Sequence, residues 1–154
     1  MKKILLILLF GYGLVLHAQT IQSLPYNSEI KQLPDGWHKF IIEGATFDVE
    51  VISGKLVQGN VTWFDGATYS GSLGGDVIAG RGTYKWANGS RYEGSFKDNL
   101  RHGRGSLIQK DGSKWSGKWK KDQKNGKGKM FNVSGEITRK GVWQANQYIG
   151  EKKK

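Results

Sequence analysis

Along residues 59–143 apolar and polar positions alternate in short runs, and the runs repeat. Gly59, Gly82, Gly105 and Gly128 stand 23 residues apart, and so do Gly66, Gly89, Gly112 and Gly135. Between the two glycine columns runs an apolar one, Val61, Tyr84, Leu107 and Met130. After them runs an aromatic one, Tyr69, Tyr92 and Trp115, which lapses to Thr138. Self-similarity at a fixed period marks a repeat architecture, and alternation with period two marks strands. The second glycine column sits in Phe64-Asp65-Gly66, Ala87-Asn88-Gly89, Lys110-Asp111-Gly112 and Val133-Ser134-Gly135. Asp-Gly and Asn-Gly between β-rich runs are hairpin signals, because glycine takes a positive φ without steric penalty. Each repeat is predicted to be one β-hairpin.

Parity fixes the length of the turn, since residues facing one another across a hairpin lie on the same side of the sheet. A loop of Asn88-Gly89 alone would set Tyr84 against Glu93 and split the aromatic columns between faces. A loop of Ala87-Asn88-Gly89, a type I turn closed by a glycine bulge, sets Tyr84 against Tyr92 and Gly82 against Gly94. The three-residue loop is therefore expected, and with it Val61 opposite Tyr69, Leu107 opposite Trp115 and Met130 opposite Thr138.

The same parity sorts the strands onto two faces. One carries Val61, Trp63, Tyr69, Leu73, Tyr84, Trp86, Tyr92, Phe96, Leu107, Trp115, Trp119 and Met130. The other carries Arg81, Lys85, Arg91, Glu93, Lys97, Arg104, Lys114, Lys118, Lys120, Lys127, Lys129 and Arg139, interrupted by Phe64, Ile108, Phe131 and Ile137. The paired glycines leave gaps on the aromatic face into which rings from a neighbouring repeat can lie flat. The rings are thus expected to be core rather than a ligand platform.

Tyr92-Glu93-Gly94-Ser95-Phe96, Lys97-Asp98-Asn99 and Arg101-His102-Gly103-Arg104-Gly105 together resemble the MORN (membrane occupation and recognition nexus) repeat. Its aromatic-x-Gly-x-aromatic core returns at Tyr69-Ser70-Gly71-Ser72-Leu73 and Trp115-Ser116-Gly117-Lys118-Trp119. The fourth copy departs from it: a one-residue insertion makes Gly141 and Trp143 late, and Arg139 replaces the aromatic. Upstream, Phe47-Asp48-Val49-Glu50-Val51 lies one period early without its glycine and reads as a capping unit. The resemblance implies an elongated, single twisted antiparallel sheet of tandem hairpins, all-β, acting as a scaffold or adaptor and in some members touching anionic phospholipid.

Ahead of the array, Lys2 and Lys3 precede an apolar run from Ile4 to Leu16 that ends near Ala18. That is the pattern of a signal peptide, shorter than the ~20 residues of a spanning helix. The expected divisions are a signal-peptide helix at 1–18, a lead-in segment at 19–45, a divergent cap unit at 46–58, hairpin repeats at 59–143 and a basic tail at 144–154. An exported chain, periplasmic or secreted, is implied. It contains no cysteine, which excludes a lipid anchor on cysteine, disulfides, thiol chemistry and cysteine metal sites. A few terminal lysines, Lys152 to Lys154, would blunt an exposed sheet edge.

Charge is uneven. Residues 19–90 hold five basic against seven acidic side chains, whereas residues 91–154 hold seventeen against six. An acidic partner would be drawn to the second half. No serine, histidine or carboxylate stands in a nucleophile or acid–base motif, and a hydrolase would need a cleft that the sequence does not show. His102 is expected in the turn between hairpins, and Asp65, Asp98, Asp111 and Asp122 are expected as turn formers. No enzyme, cofactor or metal site is expected. The remaining readings are a protein-interaction scaffold or a peripheral binder of anionic lipid or glycan through the basic face, with nucleic acid not expected and a homodimer through sheet edges left open.

Overall fold

The computed structural model describes residues 19–151. The signal-peptide helix expected at 1–18 and the edge lysines Lys152 to Lys154 lie outside the described residues. The chain forms β1 (Gly36–Ile42), β2 (Ala45–Ile52), β3 (Lys55–Thr62), β4 (Thr68–Leu73), β5 (Ile78–Lys85) and β6 (Arg91–Lys97). It continues as β7 (Leu100–Ile108), β8 (Lys114–Lys120), β9 (Gln123–Phe131), β10 (Ile137–Gln144) and β11 (Gln147–Gly150). These strands make one open antiparallel sheet in chain order. The sheet reaches beyond the expected array at both ends, because β1 falls in the lead-in segment and β11 in the basic tail.

Two kinds of turn alternate along the long edges. On one edge the expected three-residue loops form: Trp86 N donates to Ser90 O, and Gly89 N donates to Trp86 O, both at 2.9 Å. The closing glycines Gly66, Gly89, Gly112 and Gly135 take φ between 83° and 91°, the bulge conformation that favours glycine. On the other edge, Asp98-Asn99, Lys121-Asp122 and Ala145-Asn146 make two-residue turns with both φ values positive, where Asn and Asp are tolerated. Each turn also latches onto the one before. The side-chain oxygens of Asn99, Asp122 and Asn146 accept the N–H of Ile78, Arg101 and Lys124, each at 2.8 Å. Their own N–H groups donate back to the carbonyls of those same three residues.

Glycine pairs follow the parity argument. Gly59 faces Gly71, Gly82 faces Gly94 and Gly105 faces Gly117, while Val61 faces Tyr69, Tyr84 faces Tyr92 and Leu107 faces Trp115. The pairing continues between hairpins, so one glycine from each of β3–β10 lies in a single row running to Gly128 and Gly141. Across this row lie the rings. A β-carbon at Gly82 would meet Tyr69 Cζ at 2.7 Å, one at Gly105 would overlap Tyr92, and one at Gly128 would meet Trp115 Cζ2 at 2.5 Å. Each ring therefore covers the glycine of the following repeat, and an edge-to-face chain joins Tyr69, Phe96, Tyr92, Trp119, Trp115, Trp143 and Tyr148. The phenols of Tyr69 and Tyr92 are satisfied by the carbonyls of Ser72 and Ser95. The indole N–H of Trp115, in the same column, is buried with no partner.

The fourth hairpin differs from expectation. Met130 faces Arg139 rather than Thr138, because the strand bulges between Ile137 and Arg139 and absorbs the inserted residue there. Beyond the bulge, Gly128 faces Gly141 and the register of the array is restored. His102 also departs: it lies within β7, not in the turn.

The part of the lead-in segment ahead of β1 is a strap. Ile21, Leu24 and Ile30 are buried in the aromatic core, with a single 3-10 turn at Ile30–Gln32. Ring hydrogen bonds to its backbone add to this burial. Trp86 Nε1 donates to Thr20 O at 2.9 Å, Trp63 Nε1 donates to Ser23 O at 3.3 Å, and Gln22 N donates to the Tyr84 hydroxyl at 3.3 Å.

Candidate functional site

With the aromatic face filled by its own rings and the strap, the opposite face is the one open to a partner. Its side chains stand in rows across the strands. An outer row beside the three-residue loops reads Thr62, Thr68, Lys85, Arg91, Ile108, Lys114, Phe131 and Ile137. The next row reads Asn60, Ser70, Thr83, Glu93, Ser106, Ser116, Lys129 and Lys140. Beyond the glycine row, Arg81 faces Ser95 and Arg104 faces Lys118, with Lys127 opposite Val142.

Between these last two rows lies a trough. Its first stretch, about 700 Å³, is lined by Arg81, Arg104, Lys118 and Lys127 on one side and by Thr83, Glu93, Ser106 and Ser116 on the other. Its second, about 730 Å³, shares Ser116 and Lys127 and adds Lys129, Lys140 and Glu151. The floor is the main chain of the glycine row, whose Cα substituents would point to the aromatic face. Of the acidic lining groups, Glu93 is held by Arg91 at 2.6 Å. Ser106 Oγ donates to Ser116 Oγ at 2.9 Å, tying two neighbouring strands of the wall.

The expected contact residues divide by position. Arg81, Arg104, Lys118, Lys127 and Lys129 come together in the trough. Lys85, Arg91 and Lys114 share the outer row, where the Lys114 ammonium stands 4.4 Å from the centre of the Phe131 ring. Lys97 and Lys120 end their strands beside the two-residue turns, paired with Leu100 and Gln123. Arg139 does not belong with them. The bulge turns it to the aromatic side, where its guanidinium lies 4.9 Å from the Tyr148 ring. Its place on the basic face is taken by Lys140, which the sequence reading missed. Carrying the one-residue insertion through the register would have found it.

Charges also enter the aromatic side. Arg101, 6% exposed, lies 4.6 Å from the centre of the Trp119 ring and pairs with Asp122 at 2.9 Å. Asp122 is thus more than a turn former. Lys124 occupies the matching place one repeat later, 5.4 Å from the Trp115 ring, and burial, with the charge of Arg101, lowers its pKa. Burial raises the pKa values of the Tyr69, Tyr84 and Tyr92 hydroxyls. Asp111, lowered by hydrogen bonds from Ser113, is an exposed turn carboxylate.

Among the described residues no group of three or more His, Asp or Glu side chains converges as a metal site, and no helix is long and apolar enough to cross a membrane. His38 Nε2 donates to the Pro34 carbonyl at 2.7 Å. Residues 69–91, 92–114 and 115–136 each match the family described as MORN repeat. No curated protein matches the chain.

Proposed function

From the premise that this chain is a MORN repeat protein, with three consecutive copies over residues 69–136, we propose that it is a non-catalytic docking module whose basic face holds an acidic partner. Repeats of this kind form protein-interaction or membrane-association modules, and the family is generally non-catalytic. One observation carries the finer reading: five of the expected cations line a single open trough, while the opposite face is closed by the chain's own rings and strap. Like charges gathered on one surface repel one another and are relieved by an anion. The partner is an acidic protein, glycan or lipid surface, met outside the cytoplasm once residues 1–18 have been removed. The short apolar run after Lys2 and Lys3 supports that export.

Binding to acidic surfaces at low salt tests the docking reading. Retention on anionic resin or vesicles should fall as ionic strength brings the Debye length below about 8 Å. It should also be lost in the Lys114→Glu, Lys118→Glu, Lys120→Glu variant, whose folding is unchanged. Absence of retention at low salt sinks the reading. Mass analysis of the mature chain tests export, with a start near Gln19 expected and an intact Met1 contradicting it.

A further inference from the structure

Resting on the docking reading, we propose that the partner is a linear acidic polysaccharide, seated as one extended chain in the trough across β5–β10. The shape is the first reason. Opposed walls over a bare main-chain floor admit a thread, whereas a flat bilayer would meet the tips of the outer row, including Lys85 and Lys114, as readily as the trough.

The period is the second reason. Arg81, Arg104 and Lys127 occur once per repeat, on every second strand of the same wall, so they stand about 10 Å apart. A pyranose unit in an extended β-1,4 chain advances by slightly more than one strand spacing, which is about 4.8 Å. In a two-fold ribbon of uronic acids successive carboxylates point to opposite sides. Every second carboxylate therefore faces this wall in step with Arg81, Arg104 and Lys127, while Lys118, on the strand between the last two, adds a cation out of that step. An extended peptide, at about 3.4 Å per residue, falls out of step with the strands.

The third reason is the chemistry of the other wall. Along the first stretch of that wall Thr83, Ser106 and Ser116 present uncharged hydroxyls to the guanidinium and ammonium groups across the trough, with Glu93 among them paired to Arg91. The second stretch adds the ammonium groups of Lys129 and Lys140. The hydroxyls offer donors and acceptors to sugar hydroxyls, while the cations meet the acid groups. Nucleic acid would call for stacking rings along the groove. The one ring in the described lining, Phe131, already carries the Lys114 ammonium.

Calorimetric titration of the full-length mature chain with oligomannuronates, from dimer to octamer, tests the proposal. Affinity should rise with length and level near the hexamer, since six strands span roughly 24 Å. The triple variant Arg81→Ser, Arg104→Ser, Lys127→Ser should bind the hexamer about tenfold more weakly. The triple variant Lys85→Ser, Lys97→Ser, Lys114→Ser removes the same charge from outside the trough and should lose no more than about twofold. Should the first triple fold poorly, Arg104→Ser alone should show the same ordering.

Equal losses from the two triples overturn the trough while leaving the docking reading intact. So does binding to phosphatidylglycerol vesicles or polyglutamate without binding to the oligomannuronates. Failure to bind oligomannuronates, vesicles and polyglutamate alike overturns both.

Discussion

The Tyr92 ring lies across Gly105 of the adjacent strand, so close that a β-carbon there would overlap the phenol. Gly105 has an ordinary extended backbone, so it is the ring and not the φ angle that demands glycine. Gly105→Ala should destabilise by about 2–3 kcal/mol through overpacking. In a Tyr92→Leu background the same change should cost under about 1 kcal/mol, because the aliphatic chain need not cross the strand. Urea unfolding of the four proteins measures the coupling, and additive costs would remove the ring as the cause.

Asp122 carries both the latch to the previous turn and the countercharge to buried Arg101. Asp122→Ala leaves that guanidinium uncompensated and should cost about 3–5 kcal/mol. Asp122→Asn keeps the acceptor for the Arg101 N–H, as Asn99 and Asn146 do in their own latches. It should cost clearly less. Similar losses in the two variants would assign the whole effect to the ion pair rather than to the latch.

Tyr69, Tyr84 and Tyr92 share the same direction of pKa shift. A phenol with a raised folded pKa contributes stability that is full below its unfolded value of about 10 and is lost as pH rises through the folded value. Lys124, with a lowered pKa, acts in the opposite sense but alone. Stability should therefore fall steeply above about pH 10, with tyrosinate absorbance appearing together with the loss of β-sheet dichroism. Full titration of these phenols while the sheet persists would contradict their burial.

Leu24 seats the strap beside Trp63, whose indole donates to the neighbouring Ser23 carbonyl. Leu24→Ala should cost about 2–3 kcal/mol locally. Tryptophan emission should shift to the red, and proteolysis should begin before Pro34 while β1–β11 stay intact. Loss of the whole sheet in one step would show that the strap and the sheet fold as a single unit.

The hairpins and their register were legible because glycine and aromatic columns constrain parity: once Tyr84 is set against Tyr92, the neighbouring pairs follow. Arg139 was misplaced for a local reason. A bulge shifts every later residue to the other face, and parity counted from the turn leaves Arg139 on the basic face unless the inserted residue that delays Gly141 and Trp143 is carried through. The strap was hidden for a different reason. Its hydrogen bonds to the rings run through backbone atoms of Thr20, Gln22 and Ser23, which leave no signature in side-chain pattern, and its buried side chains Ile21, Leu24 and Ile30 follow no strand or repeat period. The trough was half visible: its cations recur with the repeat, but their division into trough and outer row depends on pairings between hairpins.

Because each ring leans onto the glycine of the repeat that follows, the array has a direction. Tyr69, Tyr92 and Trp115 all reach forward, and only Tyr148, in the last strand, reaches back, onto Gly141. A chain emerging from a ribosome would therefore always carry one uncovered ring at its growing end, waiting for the glycine still to be made. Tyr148 completes the series from the far side, so the last glycine of the row is covered like those before it.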